Sequence, residues 1–150
     1  MLKIGKMADY GLLLTNQLAK TDKPLSTTEE LAKATQLPLA TVRKLLKKLV
    51  DAGIVASTRG ARGGYVLAKA ATDLTVADVI NAIEGPIAIT QCSGHDAHCS
   101  MAADCDLKEN WSTINRVIAT VLGQLSLADM ANRVSERTIR FLGNSDGTRG

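Results

Sequence analysis

A mainly α-helical fold, interrupted by one short β-hairpin and ending in a long helix, is predicted by three features of this 150-residue chain. Apolar residues recur at helical spacing through most of its length. The period shifts to that of strands only around residues 54–68. Aromatic residues are scarce: Trp111, Phe141, Tyr10 and Tyr65 are the whole set, so the core must be built from Leu, Ile, Val and Ala, a composition that suits packed helices better than stacked sheets. A 45% hydrophobic share with 22% charged residues is that of an ordinary globular domain with a single core.

The first predicted helix runs from about Gly5 to Lys20, with Met7, Tyr10, Leu14 and Leu18 on one face, and Thr21-Asp22-Lys23-Pro24 ends it. Ser26 and Glu29 fit the S-x-x-E capping box, which predicts a short helix from Thr27 to about Thr35 that buries Leu31 and Ala34. Gln36-Leu37-Pro38 interrupts it. Pro38, with no amide hydrogen and a fixed φ, suits the first turn of a new helix over residues 38–52. Its apolar set is Leu39, Val42, Leu45, Leu46 and Leu49; Thr41, Arg43, Lys44, Lys47 and Lys48 fall opposite, and Gly53 is a C-cap. Residues 54–58 and 65–68 read as strands joined by the glycine-rich tip Arg59-Gly60-Ala61-Arg62-Gly63-Gly64. A further amphipathic helix covers Thr75 to Glu84 and is closed by Gly85-Pro86. Residues 90–106 are polar and irregular, and a long helix runs from Leu107 to Leu125. The expected division is 1–85, 86–106 and 107–130, with a partly disordered tail over 131–150.

Charge divides the chain. Residues 1–70 carry 12 Lys/Arg against 5 Asp/Glu, whereas residues 71–150 carry 6 against 10. A basic front half suits a polyanionic partner, and the acidic back half suggests a different task. No apolar run approaches the roughly 20 residues that cross a bilayer, and Met1-Leu2-Lys3-Ile4-Gly5-Lys6 lacks the apolar stretch of a secretory signal. The expectation is a cytoplasmic protein without a membrane partner or small-molecule substrate. No nucleophile or acid–base constellation points to catalysis, so an enzyme is not expected.

A capped short helix, a brief turn, a second helix with a basic face and then a hairpin form the winged helix-turn-helix pattern. Such a second helix enters the major groove of double-stranded operator DNA and meets base edges with its N-terminal residues, here Ala40, Thr41, Arg43 and Lys44. Lys47 and Lys48 lie further along, where phosphate is the expected contact. The helix start near Thr28 offers free amides to a phosphate. In the wing, Arg59 and Arg62 sit among glycines that let the backbone approach DNA, by phosphate or minor-groove contact.

Cys92, Cys99 and Cys105 are spaced C-x6-C-x5-C among Gly94, His95, Asp96, His98, Asp104 and Asp106. Three cysteines in one polar loop suggest thiolates gathered on a metal rather than disulfides. Two metals compete. Zinc wants four ligands at closer spacing and could recruit His95 or His98; an iron–sulfur cluster accepts more widely spread thiolates; unmetallated thiols are the third possibility. In the long helix, Leu107, Trp111, Ile114, Ile118, Val121 and Leu125 are separated by 4, 3, 4, 3 and 4, a heptad seam about 28 Å long. A helix-turn-helix protein generally needs two copies to match a two-fold operator, so this seam is read as a homodimer interface.

The stretch Pro38-Leu39-Ala40-Thr41-Val42-Arg43-Lys44-Leu45-Leu46, then Gly53-Ile54-Val55, the wing motif from Arg59 to Ala68, and Leu74-Thr75-Val76-Ala77-Asp78-Val79-Ile80 resemble the Rrf2 family of winged-helix regulators, which includes IscR- and NsrR-like proteins. The similarity spans roughly residues 1–130. The opening from Met1 to Gly11 looks most like the branch that regulates the SUF iron–sulfur assembly operon. The resemblance implies a homodimer with a long crossing helix and an iron–sulfur cluster, 2Fe–2S in preference to 4Fe–4S, on Cys92, Cys99 and Cys105. It also implies a wing contact by Arg59. Some members take a fourth ligand from a His three residues after the last cysteine, but Lys108 stands there and cannot ligate. Others use an aspartate in the partner's first helix, and Asp9 occupies that position, with His95 and His98 as alternatives. The function implied is a cluster-dependent repressor of iron–sulfur assembly genes. The alternatives are a nitric-oxide- or redox-sensing repressor, or a zinc or cluster protein acting by protein contact.

Overall fold

The structure, a computed structural model, describes residues 3–90, 106–134 and 139. Its elements in order are α1 (Lys6–Lys20), α2 (Thr28–Thr35), α3 (Leu39–Asp51), β1 (Val55–Thr58), β2 (Gly64–Leu67), α4 (Val76–Glu84), α5 (Lys108–Gln124) and α6 (Leu127–Ala131). Leu14, Leu31, Leu45, Leu49, Val79 and Leu127 are almost fully buried, so α1, α2, α3, α4 and α6 share one aliphatic core. The fold is mainly helical with a two-stranded antiparallel hairpin, as the sequence predicts.

No side chain of its own caps the start of α1. Glu84, at the far end of α4, fills that role: its Oε1 accepts from the Ala8 amide at 3.3 Å. Gly11 faces α4, where an added Cβ would lie 3.0 Å from Ile83 Cγ1, so glycine here sets how closely the two helices pack. The buried Thr15 hydroxyl donates to the Gly11 carbonyl at 3.0 Å and is thereby satisfied.

The capping box of α2 is displaced by one residue from its predicted place. Thr27 Oγ1 accepts from the Glu30 amide at 3.2 Å, and Glu30 accepts from the Thr27 amide at 2.9 Å. Ser26 is unavailable because its backbone is committed elsewhere: it exchanges two hydrogen bonds with Tyr65, at 2.9 and 2.8 Å. The register shift also moves the buried face, so that Thr35 is buried beside Leu31 and Ala34 is exposed. Hydrogen bonds from Lys23 and then from the Thr27 amide hold the Glu30 carboxyl below its ordinary value. The box therefore survives as pH falls through the unfolded carboxylate range and is lost only once the folded Glu30 protonates.

α3 ends in a paired-bond cap. The Ile54 amide donates to the Leu49 carbonyl and the Gly53 amide to the Val50 carbonyl, with Gly53 at φ +74°. Ile54 is buried, which turns the chain directly into β1. β1 and β2 pair antiparallel from Val55 opposite Leu67 to Thr58 opposite Gly64. The Ser26–Tyr65 bridge adds a third edge and bolts the hairpin to the entry of α2. Gly64 is required there, since a Cβ would fall 2.8 Å from the Ser26 carbonyl oxygen.

The long helix, expected over Leu107–Leu125, runs from Lys108 to Gln124, so the segment expected to continue to residue 130 is broken after it. Ser126 Oγ accepts from the Asp129 amide and opens the separate helix α6 with a capping box of its own. The break is fixed from outside: Val76 donates to the Leu125 carbonyl at 2.9 Å and Leu127 to the Leu74 carbonyl at 2.8 Å. The stretch carrying Cys92, His95, His98, Cys99 and Cys105, and the tail from 140 onward, lie outside the described residues.

Candidate nucleic-acid interface

The amphipathic pattern of α3 divides its residues cleanly. Val42, Leu45, Leu46 and Leu49 are buried, which turns Ala40, Arg43, Lys44 and Lys47 to solvent with Thr41 half-buried beside them. A protruding basic helix face on a rigid apolar base is the geometry that a major groove accepts. Arg43 reaches Glu29 in the first turn of α2, Nη2 to Oε1 at 3.6 Å. Both side chains are well exposed, so the pair contributes little and releases Arg43 to a stronger acceptor at small cost.

Lys48 departs from the predicted phosphate-facing set. It is half-buried and its ammonium donates to the Ile83 carbonyl at 2.6 Å, at the C-terminus of α4. A cation there answers the negative end of the helix dipole. The sequence pattern showed a lysine on a polar face but not the carbonyl waiting for it. Thr28, the first residue of α2, is half-buried, and Glu29 and Glu30 share its turn, so a phosphate approaching these amides meets negative charge. Glu30 is partly neutralised by Lys23 at 2.7 Å. In the hairpin, Arg59 and Arg62 are both exposed at the tip, where Gly60 adopts φ +114° and Gly63 donates to the Gly60 carbonyl at 2.9 Å. Gly63 has no room for a side chain against the Thr58 carbonyl oxygen.

Arg43→Ala is expected to weaken operator binding by about 1–3 kcal/mol while sparing random duplex, the signature of a base reader. Lys47→Ala is expected to weaken both alike and lower the salt slope by about one. Fluorescence anisotropy on the two duplexes across a salt series checks both; equal losses for Arg43→Ala on operator and random DNA would remove its reading role.

Asp9 lies in the first turn of α1, exposed, and its carboxylate has no partner among the described residues. The three cysteines that it would join are outside those residues, and no cluster of three metal-ligating side chains occurs among the described ones. α5 buries none of its residues within this chain. Leu107, Ile114 and Val117 are 56%, 44% and 57% exposed, while Trp111, Ile118 and Val121 are half-buried. Val117 was absent from the predicted seam. Leu125, which was in it, is 6% exposed and belongs to this chain's own core, because the break before α6 turns it inward.

Asn115 on α5 carries a contact that no periodicity argument could have found. Its amide donates to the Ile87 carbonyl at 2.9 Å, and its Oδ1 accepts from the Ile89 amide at 3.0 Å. The side chain thus pairs with the backbone of the segment leading into the cysteine-bearing stretch. That segment borders an open cleft of about 690 Å³ between α1, α4 and α5, lined by Ile4, Ile80, Glu84, Ile118 and Leu122 among others. No helix among the described residues is long and apolar enough to cross a membrane.

Comparison with known proteins gives a consistent result. The profile of the Rrf2 family, described as iron-dependent transcriptional regulators, matches residues 4–133. CymR of Bacillus subtilis is 31% identical over 133 residues, covering 87% of this chain and 91% of the relative. The solved structure of that protein, described as the global cysteine regulator of its organism, superposes with a TM-score of 0.70 over 90% of this chain and all of the other. IscR of Serratia proteamaculans is 29% identical over 113 residues, 75% of this chain and 68% of its own. The T. potens IscR structure has a TM-score of 0.67 at 27% identity, covering 91% and 95% of the two chains. CymR and the Serratia IscR are named as regulators of transcription; none of the three proteins is named as an enzyme.

Proposed function

Because the chain belongs to the Rrf2 family of transcriptional regulators, we propose that it is a homodimeric, iron–sulfur-dependent regulator, most simply a repressor, of iron–sulfur assembly genes of the SUF type. The observation that carries the DNA-binding part is the exposed basic face of α3, with Arg43, Lys44 and Lys47, presented beside a wing that ends in Arg59 and Arg62. Ala40 and Thr41 complete the surface offered to the duplex. Two such surfaces, related by a two-fold axis through the α5 faces, match a palindromic operator.

The sensing part rests on the donor set. Three thiolates close in the sequence, Cys92, Cys99 and Cys105, with the carboxylate of Asp9 of the partner subunit's copy of α1, which has no partner among the described residues, suit an iron–sulfur cluster, and the sequence resemblance favours 2Fe–2S. When bound, the cluster supplies a charge and oxidation state that respond to iron supply and oxidants. A carboxylate ligand is a hard donor among soft ones and leaves more readily than a thiolate. Asp9→Ala is expected to shorten the lifetime of the cluster in air and to alter its absorption spectrum. If spectrum and lifetime both stay as in wild type, the fourth ligand passes to His95 or His98.

The deciding experiment is anaerobic purification followed by iron and sulfide analysis, absorption and Mössbauer spectra, and binding to the chain's own upstream DNA with and without the cluster. Iron and sulfide in equal amount, with loading that changes operator affinity, is the expected result. A protein that binds the duplex but takes up neither element would support the second reading, a thiol-state regulator. That reading is favoured by three cysteines within fourteen residues, which without a metal remain thiols open to oxidation. Zinc in place of iron, or failure to bind any duplex, would overturn the proposal.

A further inference from the structure

The last turn of α4 is a meeting point for three elements, α3, α1 and, through the residues that follow it, α5. Lys48 of α3 donates to the Ile83 carbonyl at 2.6 Å. The next residue, Glu84, accepts from the Ala8 amide and so closes the start of α1, the turn that carries Asp9. Gly85 follows at φ +90°, with its amide on the Asn81 carbonyl at 3.0 Å. Pro86, whose ring fixes φ, then delivers Ile87 and Ile89 to the Asn115 side chain of α5. Only Gly85 and Pro86 separate the turn held by α3 and α1 from the stretch held by α5, and residue 91 begins the cysteine-bearing stretch.

From this convergence we infer that Asn115 and Lys48 are positioning residues which transmit the state of the cysteines to the reading helix. The inference rests on the proposed sensing function. Asn115 fixes residues 87–89, which end one residue short of the last described residue before Cys92. It does so with both amide groups, as a neighbouring strand would. Lys48 fixes α3, and its bond is part-buried, so it is neither screened nor replaced by water as a surface contact is. A displacement of residues 87–89 therefore reaches the α4 C-terminus through Pro86, whose ring fixes φ, and Gly85, whose amide is held on the Asn81 carbonyl, and from there it moves Lys48 and with it the register of α3 on DNA. The same turn moves the α1 start, so the proposed ligand Asp9 and the reading helix respond together. Coupling of this kind needs a contiguous element that both sites bias, and the α4 turn is contiguous with both.

The test compares wild type, Asn115→Ala, Lys48→Met, Lys48→Arg and the exposed α5 control Thr113→Ala. Operator affinity is measured with the cluster built from ferrous iron and sulfide under argon, and again after its removal. Wild type and Thr113→Ala are expected to show a ratio of about tenfold between the two states. Asn115→Ala and Lys48→Met are expected to bring that ratio to within about twofold of unity, while iron per chain and affinity of the unloaded form stay near wild type. Lys48→Arg, which can still donate to the Ile83 carbonyl, restores the ratio. A role confined to local stability would lower both affinities and leave the ratio, and that outcome overturns the inference.

Amide exchange followed by NMR reads the junction with no cluster present. Asn115→Ala is expected to speed exchange at Ile89 and also at Ile54, whose amide closes α3 on the Leu49 carbonyl. Acceleration confined to Ile89 overturns the inference. Should wild type take up no iron, the sensing proposal falls separately, and this exchange pattern alone decides whether α3 and residues 87–89 are joined.

Discussion

Ile114→Glu with Val117→Glu is expected to yield a monomer whose affinity for a two-fold operator is lower by about 100-fold or more. The estimate follows from linkage between half-sites, in which the second contact of a joined pair is made at high effective concentration and is lost when the pair separates. The reasoning begins with α5. It is seventeen residues long, it buries none of them in its own chain, and it displays Ile114 and Val117 at 44% and 57% exposure. A helix of that length with an uncovered apolar edge is stable only when something covers it. In a closed two-fold contact each substitution appears twice, so four carboxylates would face one another across the axis with no compensating cation on the same edge. Sedimentation velocity reads the first consequence and anisotropy on the full operator the second. A dimer that survives both glutamates would move the contact to another face of α5.

Gly64→Val is expected to cost about 1–3 kcal/mol of stability, the range for forcing atoms into filled space, and to lower Tm by several degrees. The obstruction at Gly64 is the Ser26 carbonyl oxygen, which would lie 2.8 Å from the new carbon, and the Leu25 Cβ at 3.1 Å, an atom fixed directly to the backbone. Neither can swing aside as a side-chain tip would. Relief requires the wing to move off the entry of α2, which breaks the Ser26–Tyr65 pair. Operator affinity should fall with stability, because Arg59 and Arg62 travel with the hairpin. Thermal unfolding and anisotropy, measured on the same preparation, distinguish this from a purely local defect. A variant with normal Tm and normal affinity would show that the bridge to Ser26 is dispensable.

Most of the element order was legible because periodicity survives in a single sequence: α1, α3, α4 and the hairpin all fall within a residue or two of their predicted places. What failed had local physical causes. The segment Ser26-Thr27-Thr28-Glu29-Glu30 contains two overlapping capping boxes, and the choice between them is made by Tyr65, thirty-nine residues away in the chain from Ser26. Lys48 looked like its neighbour Lys47, since a charge pattern records which face a lysine is on and nothing of the carbonyl that meets it. The heptad count placed Leu125 in the outer seam and the segment ran on to 130, although Ser126 and Asp129 already spelled a new cap that turns Leu125 into the core. Asn115 and Glu84 were invisible for a general reason. A single polar side chain that bonds to distant backbone leaves no repeat, and nothing in its own neighbourhood marks it. The candidate DNA surface was legible as residue types, since Arg43, Lys44, Lys47, Arg59 and Arg62 are all exposed.

The two backbone bonds between Ser26 and Tyr65 have a further consequence for the choice of target. The hairpin arises from one end of α3 and is pinned, through Ser26, to the entry of the helix that precedes α3. The hairpin that carries Arg59 and Arg62 is thereby tied at its base to the helix pair that carries Arg43, like the hinge of a caliper. In the proposed complex such a tie leaves more of the adjustment to the duplex, so sequences whose groove dimensions already suit the spacing are expected to be favoured even at base pairs that no side chain touches.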